Sequence, residues 1–278
     1  MFWLIENKEQ LQAFKEKGFK KVFIEPLFSN DNIHPYLRGI VGFYIREIDY
    51  RKGFLININH SEATSCELSE VLNLIGEFEE IFVKDKKEFL HIVPLKQLSD
   101  IHFISPTDIP DQFPCHDFFY RKYPHIGNIG SIIPIVKHYE RCETIFDAVK
   151  HVFSMEKPQH FEFYNNRATN VFYWIEANGL KVDPKLFEEH FGVEKEWTYS
   201  QFNLKTTTTR PSNSFGGVNY AALDKKSGCR EAFIPDNDFL LEIDISAYHP
   251  TLAAQLVDFD FGEGDIHQAF ADMYGVDY

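Results

Sequence analysis

The sequence predicts an α/β fold with α+β character, and three observations carry that expectation. Apolar runs rich in strand-forming residues recur early, as KKVFIEPLF, GIVGFYIREI and KGFLININH. LSEVLNLIGEFEE follows with apolar residues at helical spacing, and EIFVKD then reads as another short strand. Strands that give way to an amphipathic helix and a further strand bury their apolar faces best as a sheet layered with helices.

Residues 20 to 100 make this mixed unit. Residues 104 to 130, from ISPTDIPDQFP to YPHIGNIG, are rich in Pro, Asp, His and Gly and read as a linker. Two helical patterns follow, within IPIVKHYERCETIFDAVKHVF and FEFYNNRATNVFYWIEAN. The second should end at Gly179, a residue suited to the position just past a helix. Asp183 and Pro184 form an N-cap followed by proline at the first helical position, and Gly192 should close that helix. From residue 199 the pattern gives a Thr-rich polar strand, a turn-rich loop, the strand FLLEID and a helix opened by Pro250. The expected division is 1–125, 126–198 and 199–278.

The chain has 278 residues, enough for a sizeable core and for more than one domain. With 28 Lys plus Arg against 42 Asp plus Glu, its formal charge is −14, so net charge does not favour non-specific nucleic-acid binding. A nucleic-acid function would need a local basic cleft. Cys66, Cys115, Cys142 and Cys229 are widely spaced with no CxxC pair, which argues against zinc and for reduced thiols. The N-terminus turns polar too early for a signal peptide, and no apolar run reaches membrane length; a cytoplasmic protein is expected.

Three stretches bear chemistry-capable residues. In FLLEIDISAYHPTLAAQL, strand alternation puts Leu240, Glu242 and Asp244 on one face. A carboxylate at the tip of an apolar strand is costly unless it meets a cation, and magnesium prefers such oxygen donors. The ordinary alternative is an Asp that closes a turn. In TTTTRPSNSFGGVNYAAL, hydroxyls and Arg210 suit hydrogen bonds to a phosphate backbone or base edges, or else mark an exposed strand edge. In GDIHQAFADMYGVDY, Asp265 could cap a helix carrying His267, which by itself is an amphipathic helix and nothing more.

In order, these stretches resemble the palm of family A (DNA polymerase I-like) DNA polymerases, whose pattern runs roughly T-x-T-G-R-x-S, R-x-x-F, D-Y-S-Q-I-E-L-R and D-I-H. The matching residues are Thr206–Ser212, CREAF, the Asp244 stretch and GDIH, and NGLKVDP resembles the family's N-G-x-x-I-D-P entry to the thumb. The resemblance covers about residues 165 to 278. It implies that Asp244 and the Ile245 carbonyl hold two magnesium ions that activate the primer terminus and the incoming dNTP. It also implies primer–template DNA contacts from Thr208, Arg210, Ser212 and Arg230, and an unassigned role for His267. Where the family has a glutamate that excludes the ribose hydroxyl, this chain has His249, which could act as a planar gate for the nucleotide. Thr209 replaces the family glycine before Arg210. Only 22 residues separate Asp183 from Thr206, too few for a thumb of usual size.

The N-terminal part resembles the family's 3′–5′ exonuclease domain, an RNase H-like α/β fold. VFIEPLF stands in the place of a D-x-E strand, but Phe23 replaces the aspartate and only Glu25 remains. Phe89 fills the place of another catalytic aspartate, and Asp100 could match a later acid. Proofreading needs several carboxylates around two metals, so an exonuclease-like fold without nuclease activity is expected. The family's fingers helix and second palm aspartate have no counterpart after GDIH. The expected partner is therefore a C-terminal polymerase half or another replisome component, and the chain alone is expected to be inactive. Competing functions are a non-catalytic nucleic-acid or replisome interaction module and an active nuclease.

Overall fold

The computed structural model describes residues 2–31, 33–110, 112–206, 210–214, 218–224, 226–241, 243, 247–261 and 264–277. They form two compact units, Met1–Phe233 and Ile234–Tyr278.

The first unit is built on a six-stranded sheet of β1 (Trp3–Ile5), β2 (Lys21–Phe28), β3 (Ile40–Glu47), β4 (Phe54–Asn57), β5 (Glu80–Val83) and β6 (Leu98–Asp100), in the order β1-β4-β3-β2-β5-β6. β3 runs antiparallel to both β2 and β4, whereas β2, β5 and β6 run parallel. With the short edge strand β1 set aside, this is an RNase H-like sheet: three meandering strands, then two parallel ones added on the far side of the first. The long apolar runs follow from burial on both faces. From β2, Val22 and Ile24 pack with α1 (Lys8–Lys15) and α2 (Leu68–Gly76). Phe23 and Leu27 pack on the opposite face with α6 (Ile135–Val149). Along α6, Ile135, Tyr139, Cys142, Phe146 and Val149 recur at helical spacing and all face that core.

Short helices occupy the connections: α3 (Lys86–Leu90) after β5, α4 (Ile101–Ile104) after β6, and α5 (Asp117–Lys122) before α6. The segment 104–130 is irregular, as its Pro and Gly content suggests, yet it is packed, with Ile109, His116 and Ile129 buried. Gly130 explains one close approach. Its amide donates to the Ser29 carbonyl at 2.7 Å, and a Cβ there would lie 1.9 Å from the Phe28 oxygen. Gly130→Ala is therefore expected to cost at least about 2 kcal/mol by overpacking backbone against backbone. A urea midpoint within error of the parent, at equal slope, would contradict this close approach.

Downstream, a π-helical turn (Phe163–Ala168) runs into α7 (Thr169–Asn178), which Gly179 ends at φ 65°. β7 (Leu180–Lys181) pairs with β8 (Trp197–Thr198). The Asp183 carboxylate caps α8 (Pro184–Phe191) by accepting from the Lys185 and Leu186 amides, both at 3.0 Å, and Gly192 closes the helix in the left-handed region. β9 (Gln201–Asn203) and β10 (Ser212–Ser214) form an antiparallel hairpin. Thr207, Thr208 and Thr209, between its strands, lie outside the described residues.

The second unit contains α9 (Tyr248–Leu256) and α10 (Ile266–Tyr274). The expected strand at 239–244 is not found among its described residues: Phe239, Leu241 and Ile243 belong to no strand and are 69%, 73% and 81% exposed. The physical reason is the lack of a neighbour. A strand is stable only when a second one satisfies its backbone groups, and among the described residues of this unit none pairs with it. Across the described residues, no helix is long and apolar enough to cross a membrane.

Candidate functional site at the carboxyl edge of the sheet

Because β2, β5 and β6 are parallel, the chain leaves them on one side, where ligand sites in open α/β sheets gather. Register aligns Ile24, Val83 and Asp100 across the three strands, so Glu25 and Lys84 are the next step outward. Glu25 is buried on the α6 face, between Phe23 and Leu27 of the same strand. Its Oε1 accepts from Lys84 Nζ at 2.7 Å and from Arg141 Nη2 of α6 at 3.5 Å. Burial works against the Lys84 charge, but Glu25 and Glu88 outweigh it and raise its pKa. Arg141 is likewise held above its ordinary value, against burial, by Cys142, Glu25 and Asp31. Among the described residues, Glu25 Oε2 and Arg141 Nε are buried without a hydrogen-bond partner.

Two further acids lie beside this trio, and each first does a local job. Asp85 Oδ1 caps α3 by accepting from the Glu88 amide at 2.9 Å, and Asp100 Oδ1 caps α4 by accepting from the His102 amide at 3.0 Å. Their second oxygens converge on Lys205, which follows β9: its Nζ lies 3.4 Å from Asp85 Oδ2, 3.5 Å from Asp100 Oδ2 and 3.2 Å from the Lys84 carbonyl oxygen. Burial opposes both charges. It is outweighed by Asp100 and Asp85 at Lys205, whose pKa rises, and by Lys205, Lys87 and the Glu88 amide at Asp85, whose carboxyl falls well below the ordinary range. A small cavity of about 100 Å³ borders the pair, lined by Asp85, Lys87, Asp100, Phe103 and Lys205 among others.

A second buried hub braces this edge. Glu176 of α7 is fully buried, and its Oε1 accepts from Lys87 Nζ and from the Phe202 amide, each at 2.6 Å. Its Oε2 lies 3.2 Å from His91 Nε2. Arg38 pairs with Glu88.

A magnesium ion does not fit the nuclease-like centre. Glu25 faces Lys84 and Arg141, and Asp85 and Asp100 face Lys205, so cationic side chains stand where metal ions would. Phe23 and Phe89, which the resemblance sets in the places of two catalytic aspartates, are core residues with no exposed surface, and they pack in the cores on opposite faces of the sheet. Among the described residues no group of three or more His, Cys, Asp or Glu could hold a metal.

The palm-like residues fall elsewhere. Glu242, Asp244, Ile245 and Thr208 lie outside the described residues. Arg210 and Ser212 are exposed on the β9–β10 hairpin, with Arg210 O accepting from the Thr206 hydroxyl at 2.7 Å. Arg230 sits in the turn Cys229–Ala232 and donates through Nη2 to the Leu223 carbonyl at 3.1 Å. In the second unit, His249 is exposed on α9 with its ring against Tyr248, and the His267 amide is capped by Asp265 Oδ1 at 2.8 Å. Lys84, Asp85, Arg141, Glu176 and Lys205 are absent from the sequence-derived site. Their detectable signal was position: Glu176 shares a helical stripe with Thr169 and Tyr173, and Arg141 adjoins the apolar stripe of α6, both places where a charge needs a buried partner.

No family model matches the chain, and no curated protein does. Among solved structures, Escherichia coli RNase D, described as an exoribonuclease involved in structured RNA processing, is similar at 10% identity and a TM-score of 0.37, over 64% of this chain and 47% of that one. The POL domain of Pol1 from M. smegmatis, in complex with DNA primer-template and dNTP, is similar at 12% identity and a TM-score of 0.38, over 67% of this chain and 34% of that one. The Aedes aegypti Nibbler EXO domain gives 8% identity and a TM-score of 0.36, over 61% of this chain and 94% of that one. The chain thus spans about half the RNase D chain and about a third of the Pol1 chain. The fold class itself rests on strand order and direction: a mixed α/β unit of RNase H-like topology.

Proposed function

We propose that the chain is the N-terminal portion of a family A-type template-directed DNA polymerase, comprising an exonuclease-like domain without hydrolytic activity and the start of the palm. The observation that carries this reading is the RNase H-like sheet order of residues 3–100. The palm-like motifs downstream call for such a domain at that place, and neither composition nor those motifs impose its strand order. In this reading Arg210 and Ser212 contact the primer–template, His249 borders the nucleotide, and Asp244 with the Ile245 carbonyl holds magnesium. Bound magnesium would neutralise charge on the triphosphate and the attacking primer oxygen. The fingers and the second palm carboxylate would come from polypeptide outside these 278 residues, in cis or in trans.

Primer extension by this chain together with the cognate C-terminal half tests the proposal. Extension should need both, should need magnesium and should vanish in Asp244→Ala. Extension that survives Asp244→Ala would reject the assignment. A second reading, a non-catalytic nucleic-acid or replisome interaction module, is favoured by the cation-filled centre and gains if no combination extends a primer. Under either reading, the protein with magnesium should leave single-stranded DNA and RNA intact. Degradation that is lost in Glu25→Ala would show a working nuclease instead.

A further inference from the structure

We propose that the Asp85–Asp100 carboxylate pair is a socket for the Lys205 ammonium group, and that this socket positions the β9–β10 hairpin bearing Arg210. The centre that would hold a metal in a nuclease thus serves as an anchor for the segment that leads into the palm-like region. Only the identity of what Arg210 touches rests on the polymerase reading.

Four observations point the same way. First, the two acids are held by contacts other than Lys205, because each spends one oxygen on a helix cap and turns the other to the same point. Asp100 is held further by accepting from the Lys86 amide at 2.9 Å, while its own amide donates to Asn165 Oδ1 at 2.8 Å. Second, Lys205 leaves β9 at a defined angle, its amide held by Asn203 Oδ1 at 2.8 Å. Third, the middle of β9 is pinned by the Phe202 amide, which donates to Glu176 Oε1. Fourth, β10 pairs with β9, and the Thr206 hydroxyl next to Lys205 donates to the Arg210 carbonyl, so displacement at the socket reaches Arg210 through these bonds. An ammonium in place of a metal is chemically sound here. It brings one positive charge to two carboxylates, and Lys84 and Arg141 supply the remaining cations for Glu25.

Hydrogen exchange on the whole chain tests this without any activity. In Lys205→Met, the amides of Gln201–Asn203 and Ser212–Ser214 should exchange about tenfold or more faster, while those of β2 and β5 keep their parental rates, as expected for local release of one element. Lys205→Arg should restore hairpin protection, since it returns a cation to the same oxygens. Asp85→Asn should give a smaller loosening of the hairpin and guards against failure of Lys205→Met to fold. Unchanged hairpin exchange in both variants, or equal loosening of the whole sheet, would overturn the socket. So would a saturable change in hairpin exchange when magnesium alone is added to the parent, because the carboxylates would then be binding metal. If the polymerase reading also holds, Lys205→Met should raise KM for primer–template more than it lowers kcat. Absence of that split with a loosened hairpin would reject the polymerase reading and leave the socket standing.

Discussion

Glu176→Ala is expected to lower the stability of the first unit by about 3–5 kcal/mol, the cost of breaking a buried ion pair from one side. The Glu176 carboxylate is fully buried and satisfies three donors: Lys87 on α3, His91 just after that helix, and the Phe202 amide on β9. Alanine would leave the buried Lys87 ammonium without its hydrogen-bonded carboxylate and the Phe202 amide without an acceptor, and each orphaned group carries its own desolvation cost. For a domain of this size the loss corresponds to a fall in Tm of roughly 6–20 °C. Glu176→Gln should cost less, because an amide oxygen can still accept from Lys87 and Phe202, although the charge is gone. Replacing Glu176 and Lys87 together by leucine and methionine should recover most of the loss, since well-packed apolar pairs often equal buried ion pairs. Denaturation showing Glu176→Ala within about 1 kcal/mol of the parent would mean that the hub is hydrated and not a structural tie.

The sheet was legible because both of its faces are covered. Two-sided burial wrote β2, β3 and β4 as long apolar runs, and α2 and α6 as clean helical stripes. Caps were legible for the same local reason: Asp183, Gly179, Gly192 and Asp265 act within their own turns. The expected strand at 239–244 is not found among the described residues, because alternation records what a segment can pair with and does not supply the partner. The site was harder. In KDKKEFL, Lys86, Lys87 and Phe89 are buried and each of Lys84, Asp85 and Lys87 has a partner far away in sequence, which local pattern does not reveal. Phe23 and Phe89 were legible as apolar residues where the resemblance calls for acids. The meeting of Lys84, Arg141 and Lys205 with Glu25, Asp85 and Asp100 was not, because these residues come together only when the ends of β2, β5 and β6, α6 and the start of the hairpin are folded together.

Acidification should unlock the segment before α6 at a pH where most of the sheet still holds. His60, His116 and His138 are all buried. His138 Nε2 donates to the Gly130 carbonyl at 2.8 Å, so its Nδ1 is the acceptor for His116 Nε2 at 3.2 Å. His60 Nε2 donates to the Ile133 carbonyl at 2.8 Å, and its ring stands edge-on to His138. Burial, then the neighbouring His116, pushes the His138 pKa down to about 3, with Arg141 and His60 adding to it and the Gly130 carbonyl opposing it. Burial and then Arg141 push His116 down to about 4, with Asp31 opposing. These folded values lie below the unfolded value of about 6.5, so the unfolded chain binds more protons between them. The resulting stability is fully present above about pH 6.5 and is lost as the pH falls toward 4. Each histidine contributes a slope of up to about 1.4 kcal/mol per pH unit in that window, and the two together should remove up to about 6 kcal/mol between pH 7 and pH 4. Protonation of His138 Nδ1 would break its bond from His116, and the charge would stand near Arg141 with no carboxylate of its own. Amides of 113–131 should therefore lose exchange protection ahead of β2 and β5. His138→Asn should reduce the pH slope by nearly one proton, at some cost in stability at pH 7. A slope unchanged in that variant would move the acid lability to other groups, first of all Asp85, whose carboxyl is held, against burial, below the ordinary range by Lys205 at the sheet edge.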